Sequence, residues 1–126
     1  MDNLSDKWVS KVMELTKELA AALQSAGAID IVVLNGEKVI DWADYLIIAT
    51  FTSERHGFSL LDRCSDVLKE RQLTGRLSSA NKQTENGWLL LDAGSVVVNL
   101  LSAEHRAFYN LEELWAAAEK ASWSAL

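Results

Sequence analysis

The 126-residue chain contains no proline and a single cysteine, Cys64. Without proline, the breaks between elements have to be located from glycine and from polar clusters. One cysteine excludes an intramolecular disulfide and a cysteine-based zinc cage, and it fits a reducing compartment. Basic residues are scarce: 12 Lys and Arg face 18 Asp and Glu, a net charge of -6. That balance argues against phosphate-driven nucleic-acid binding, which needs a surplus of cations. It suits a solvated surface or an acidic patch that meets a basic protein. Apolar runs are too short for a membrane-spanning helix. The start, MDNLSDKWVSKVMELTK, lacks the basic segment and apolar run of a secretory signal. A cytoplasmic protein is the expectation.

Several chemical motifs are missing as well. The sequence holds neither of the glycine-rich phosphate loops, no G-x-S-x-G elbow and no His-x-x-x-His pair, so nothing demands a cofactor or a metal. Cys64 falls on the apolar side of a helical pattern and reads as an inert core residue. His56 and His105 each fall in the first turn of a predicted helix, where a lone histidine is most often structural. Gly94-Ser95 precedes a strand, as in metal-dependent nucleotidyl transfer. That chemistry needs at least two converging carboxylates. The strand itself, VVVNLL, holds none; Asp92 stands alone before it, and Asp41 and Asp44 could only converge from elsewhere.

What is present is an ordinary globular composition, 49% apolar and 24% charged, long enough for one domain over residues 1–126 with a core at about 5–121. Trp8, Val12, Leu15, Leu19 and Leu23 share one helical face, so helix one is expected at about residues 5–26, capped by Ser5 and stopped by Gly27. IDIVVLN (29–35) and YLIIAT (45–50) read as strands, the second apolar on both faces. Helix two is expected at about 54–72, capped by Thr52 or Ser53. The polar stretch after it reads as a loop with room for a short strand around 76–82. WLLLD (88–92) and SVVVNLL (95–101) form a hairpin. SAEHRAFYNLEELWAAAEKA (102–121) reads as helix three, with Ser102 as N-cap. The expected fold is α/β, a mixed sheet of about five strands with packed helices.

The densest segment is HRAFYNLEELW, residues 105–115. On one continuous helix Phe108, Leu111 and Trp115 share a face, with Leu114 beside them; Phe108 and Leu111 are expected in the core. Arg106, Tyr109, Asn110 and Glu113 share the opposite face, where Arg and Tyr are the types that anchor protein interfaces. Trp42 and Trp123 fit either a lid on the core or an exposed anchor.

DIVVLN, ADYLIIAT-x-TSERH, GWLLLDAGSVVVNLL and RAFYNLEELW together resemble the ribosomal silencing factor, or Iojap-like, family over about residues 9–116. The resemblance implies a nucleotidyltransferase-like shape without catalytic acids. It also implies a non-enzymatic protein that binds the large ribosomal subunit through the fourteenth ribosomal protein of that subunit. Steric exclusion of the small subunit would then lower translation under nutrient limitation. Three positions depart from the family pattern: Phe51 replaces a small residue, Ser95 an Asp and Asn99 a His. The contact surface expected from motif and composition comprises Asp44, Tyr45, His56, Trp88, Asp92, Ser95, Asn99, Arg106, Tyr109 and Asn110. The alternatives are a nucleotide-binding or degenerate nucleotidyltransferase-like protein and a homodimeric scaffold.

Overall fold

The computed structural model describes residues 4–36, 41, 43–73, 76–77, 87–115 and 119–121, with the backbone alone at 4–9, 76–77, 119 and 121. Helix α1 runs over Leu4–Ser25. Val12, Leu15, Thr16, Leu19, Ala20 and Leu23 bury one stripe of it, the three-and-four spacing expected of an amphipathic helix. The helix ends in a Schellman motif. Ala28 N–H donates to Leu23 O at 3.0 Å and Gly27 N–H to Gln24 O at 3.1 Å, with Gly27 at φ 84.

Strand β1 (Ile29–Asn35) then pairs antiparallel with β2 (Tyr45–Phe51). All seven residues of β2 are buried, as a strand apolar on both faces requires. Helix α2 (Glu54–Glu70) starts at Ser53, whose hydroxyl accepts the His56 N–H. Its end repeats the Schellman pattern with Gln72 at φ 59: Leu73 N–H donates to Leu68 O at 2.8 Å and Gln72 N–H to Lys69 O at 2.9 Å. A short β3 (Arg76–Leu77) pairs with β4 (Trp88–Asp92), and β4 forms the expected hairpin with β5 (Val96–Ser102). Strand β5 lies parallel to β2.

The C-terminal region corrects the expectation of one helix over 102–121. Helix α3 covers only Ala103–Tyr109; Asn110 is left-handed at φ 46, and a single-turn α4 follows at Leu111–Leu114. Asparagine is among the few residues that tolerate this conformation. Residues Glu119–Ala121 form strand β6, antiparallel to β1. The open edge of β1 offered unpaired backbone groups, and a strand satisfies them where a helix could not. The sheet order is β3-β4-β5-β2-β1-β6: four strands of five or seven residues between two short edges, rather than about five.

The sheet divides the core in two. Alternate residues such as Ile47, Ala49, Val98, Leu100 and Leu89 meet α1 and α2. The other face carries Leu34, Leu46, Ile48, Val97 and Leu101, packed by Trp88, Leu90, Leu111 and Trp115. Phe51, where relatives are expected to carry a small residue, is 6% exposed. Its Cδ2 sits 2.9 Å from where a Gly57 β-carbon would lie, so the ring needs glycine opposite it. Trp42 and Trp123 lie outside the described residues, as does the side chain of Trp8.

Two outcomes follow. Gly87→Ala should destabilise the fold by about 2 kcal/mol or more in urea unfolding, since φ is +64 and the new β-carbon would stand 2.2 Å from His105 Nδ1. Burial pushes the Cys64 thiol up from 9.0 to about 12. Its unfolded counterpart ionises first as pH rises, so the stability this group contributes is intact below pH 9 and is lost between there and about 12. Ellman's reagent at pH near ~8 should therefore label Cys64 only after denaturant is added.

Candidate protein-docking site

Strand β5 delivers the chain directly into α3, and β4 begins beside the point where β5 ends: Trp88 pairs with Leu101. Trp88 points to the sheet face opposite α1 and α2, packed against the second core. Its indole N–H donates to Asn99 Oδ1 at 3.1 Å. Asn99 is 4% exposed and supplies a neutral acceptor that holds the ring. Tyr109 packs tilted against Trp88 with ring centroids 4.9 Å apart, and Phe108 meets Tyr109 edge-on at 5.2 Å. His105 lies behind Tyr109 at 6.2 Å. Both ring pairs within 5.5 Å have the tilted or edge-on geometry that aromatic quadrupoles favour.

The ridge is exposed. Phe108 is 80% accessible and Tyr109 43%; Leu114, separately on α4, is 66% accessible. This corrects the expectation that Phe108 belongs to the core. The left-handed Asn110 ends the helix at Tyr109, so a continuous helical face through Trp115 does not exist. Leu111 and Trp115 reach the sheet from α4 instead.

Arg106 holds this arrangement in place. Its Nε donates to Glu112 Oε1 at 2.8 Å, and Nη1 donates to Asp30 O at 2.6 Å and Thr50 Oγ1 at 3.0 Å. One guanidinium thus ties α3 to α4, β1 and β2. The side chain is 12% exposed, so this is a peg more than a surface anchor. Asp30 presents its carbonyl from a left-handed residue at φ 50, at the irregularity between Ile29 and Val32. One hydroxyl holds His105 twice: its backbone N–H donates to Ser102 Oγ at 3.1 Å, and its ring Nδ1 lies 2.7 Å from the same oxygen. Asn110 Nδ2 donates to Glu113. Of the three carboxylates in α3 and α4, Glu112 is paired with Arg106, which leaves Glu104 and Glu113 as an acidic excess beside the ridge.

The remaining expected residues lie elsewhere. Asp44 and Tyr45 both donate backbone N–H to Ser95 O, at 2.8 and 3.1 Å. Asp92 accepts the Gly94 N–H at 2.8 Å and shapes the hairpin turn. These four residues stand at the far end of β4, about 13 Å from Trp88 at the rise of an extended strand. Tyr45 is 9% exposed and packs toward the helices. His56 is also on the helix side: its Nδ1 accepts the Thr52 N–H at 2.9 Å, which leaves Nε2 to donate to Ala26 O at 2.9 Å. It joins the end of α1 to the start of α2. Among the described residues no group of three or more His, Cys, Asp or Glu is placed to hold a metal, and no described helix is long and apolar enough to cross a membrane.

A family model described as "Ribosomal silencing factor during starvation" matches residues 9–125. The chain belongs to the ribosomal silencing factor family. It is 34% identical over 103 residues to "Ribosomal silencing factor RsfS" of Zymomonas mobilis, covering 80% of this chain and 74% of that relative. It is 33% identical to "Protein Iojap, chloroplastic" of Zea mays over 84% of this chain, though over only 45% of that longer protein. Among solved structures, one from Chromobacterium violaceum superposes with a TM-score of 0.76 at 28% identity, covering 88% of this chain and 90% of that one. Another, from Bacillus halodurans, gives 0.70 at 30% identity, covering 81% and 93%.

Sequence reasoning missed that Phe108 is exposed and that His105 packs behind Tyr109. The break falls at Asn110, a residue type that tolerates the left-handed conformation but is equally at home on a helix surface, so it gave no local signal. Arg106→Ala should lower stability by about 2 kcal/mol, because hydrogen bonds to a charged group are lost and Glu112 is left behind. Lysine at 106 should restore only part of it, lacking the planar fork. Phe108→Ala should stay within about 0.5 kcal/mol of the parent. Thermal and urea unfolding of the three variants check this contrast.

Proposed function

We propose that this chain is a non-enzymatic cytoplasmic factor that docks on the large ribosomal subunit and keeps the small subunit away. The observation that carries the proposal is the aromatic ridge of Phe108, Tyr109 and Trp88, held rigid by Arg106 and rimmed by carboxylates, in a chain of this family. Rigid aromatics at the centre of an interface bring large apolar area at little entropic cost, and partners commonly close around such anchors. The acidic rim suits a basic ribosomal protein, the fourteenth of the large subunit in this reading, and steers the encounter.

Trp88, Leu90 and Asp92 point to the same side of β4 and are each half-buried. An interface of about 800 Å² per partner is wide enough to run from the ridge along this row to the hairpin turn. That brings Asp92, Ser95 and Asp44 to its margin, with Asn99 beneath Trp88 and Asn110 at the turn of the ridge. Arg106 supports the surface from below. His56 and Tyr45, on the helix side, have no place in it. Blocking then requires no chemistry. A compact domain of this length has a radius of gyration of about 14 Å, ample to keep two ribosomal subunits from closing at that point. Exposed Phe108 and Leu114 also suit a second copy of the chain, and a homodimer through the ridge would compete with ribosome binding.

Co-sedimentation with separated subunits across a salt series tests the reading. Binding is expected to the large subunit only, weakening as salt rises. The double substitution Phe108→Ala with Tyr109→Ala should weaken it by about tenfold or more, as for paired interface anchors, while unfolding shows the fold retained. Unchanged affinity would remove the ridge from the interface. Light scattering at the same concentrations reports whether a dimer competes.

A further inference from the structure

A cavity of about 410 Å³ lies far from the aromatic ridge, between the first half of α1, the end of α2 and the β4–β5 turn. Its size is within the range of small-molecule sites. Val12, Leu15, Leu73 and Ala93 make its apolar lining. Val12 and Leu15 are buried at 5% each, whereas Leu73 is 44% exposed. The left-handed Gln72 turns Leu73 back over the helix end, where its N–H donates to Leu68 O. A large aliphatic side chain is thereby held against solvent at the edge of a concave apolar surface.

The polar lining has mixed charge. Lys11, Glu14, Arg71 and Ser95 contribute to it. Glu18 accepts from Nε of Arg71 and lies 2.6 Å from its Nη2. Lys11 and Glu14 have no ion-pair partner among the described residues, and neither does the Ser95 hydroxyl have a hydrogen-bond partner there. A ligand that is only anionic would meet Glu14. One that is only cationic would meet Lys11 and Arg71. A ligand carrying both charges on one end and an apolar group on the other satisfies every part of the lining. We infer that this cavity binds a free α-amino acid with a large apolar side chain. The carboxylate faces Lys11, Arg71 and the Ser95 hydroxyl, the ammonium faces Glu14, and the side chain rests among Val12, Leu15, Leu73 and Ala93. The charged groups are solvent-exposed, so each contributes modestly and the dissociation constant is on the order of millimolar.

The test is an amide NMR titration of the full chain with L-leucine, with isocaproate (leucine without its ammonium) and with isoamylamine (leucine without its carboxylate). Leucine should produce saturable shifts confined to residues 11–15, 71–73 and 93–95. Both truncated probes should bind about two- to fivefold more weakly, the worth of one exposed ion pair. Glu14→Gln should abolish the preference for leucine over isocaproate, weakening leucine binding and relieving the repulsion of isocaproate; Lys11→Gln should narrow the preference for leucine over isoamylamine in the same way, with Arg71 and Ser95 retaining part of it. No saturable shift up to about 20 mM, a concentration well above the expected dissociation constant, would overturn the inference. So would equal affinity for leucine and isocaproate, or shifts centred on Trp88 and Tyr109. No ribosome enters the experiment, so its failure leaves the docking proposal untouched.

Discussion

The parallel pairing of β2 with β5 is the constraint on which the rest of the structure depends. It runs in unbroken register from Tyr45 opposite Val96 to Phe51 opposite Ser102, and both strands are buried nearly throughout. A strand buried on both sides must have a layer on each face. Helices α1 and α2 cover one of them. Parallel order also demands a crossover, which α2 and β4 supply between the two strands. The second face is covered by shorter pieces, α3, α4 and their aromatics. The fold therefore has a thick, conventional side and a thin side, and the exposed ridge belongs to the thin one.

On the thin side a few polar contacts do what extensive helix packing does on the other. Arg106 reaches two strands and the next helix with a single guanidinium. The Trp88–Asn99 bond sets the orientation of the ring that carries Tyr109 and Phe108. Among the described residues, no buried side-chain polar atom lacks a hydrogen bond. This matters most here, where a lost partner would leave a desolvated group with little packing to offset it. Rigidity is what turns a hydrophobic ridge into a recognition surface: a partner need not bear the cost of ordering it.

Most of the architecture was legible along the chain because it rests on local signals. The apolar stripe from Val12 to Leu23, the doubly apolar YLIIAT and the short link between WLLLD and SVVVNLL each report their element directly. The motifs that resemble the silencing factor family are likewise contiguous in the chain and need no geometry to be read. Legibility failed after residue 109. Helical periodicity continues through Leu111 and Trp115, and nothing local distinguishes Asn110 in a left-handed break from Asn110 on a helix surface. The same limit affected Arg106, whose type suits an interface but whose partners Asp30 and Thr50 lie 76 and 56 positions away.

By itself, then, the sequence determined the acidic, low-cysteine α/β domain, the order of its principal elements and its family. Composition, periodicity and turn residues act within a few positions of one another and need no knowledge of the remainder. Only the tertiary structure decided which aromatics are exposed, that Arg106 is a peg, that residues 119–121 close the edge of β1, and that Lys11, Glu14, Arg71 and Ser95 line one cavity. Each of those depends on which sheet edge lay open and on contacts between residues far apart in the chain, and those exist only once β2 and β5 have brought the layers together.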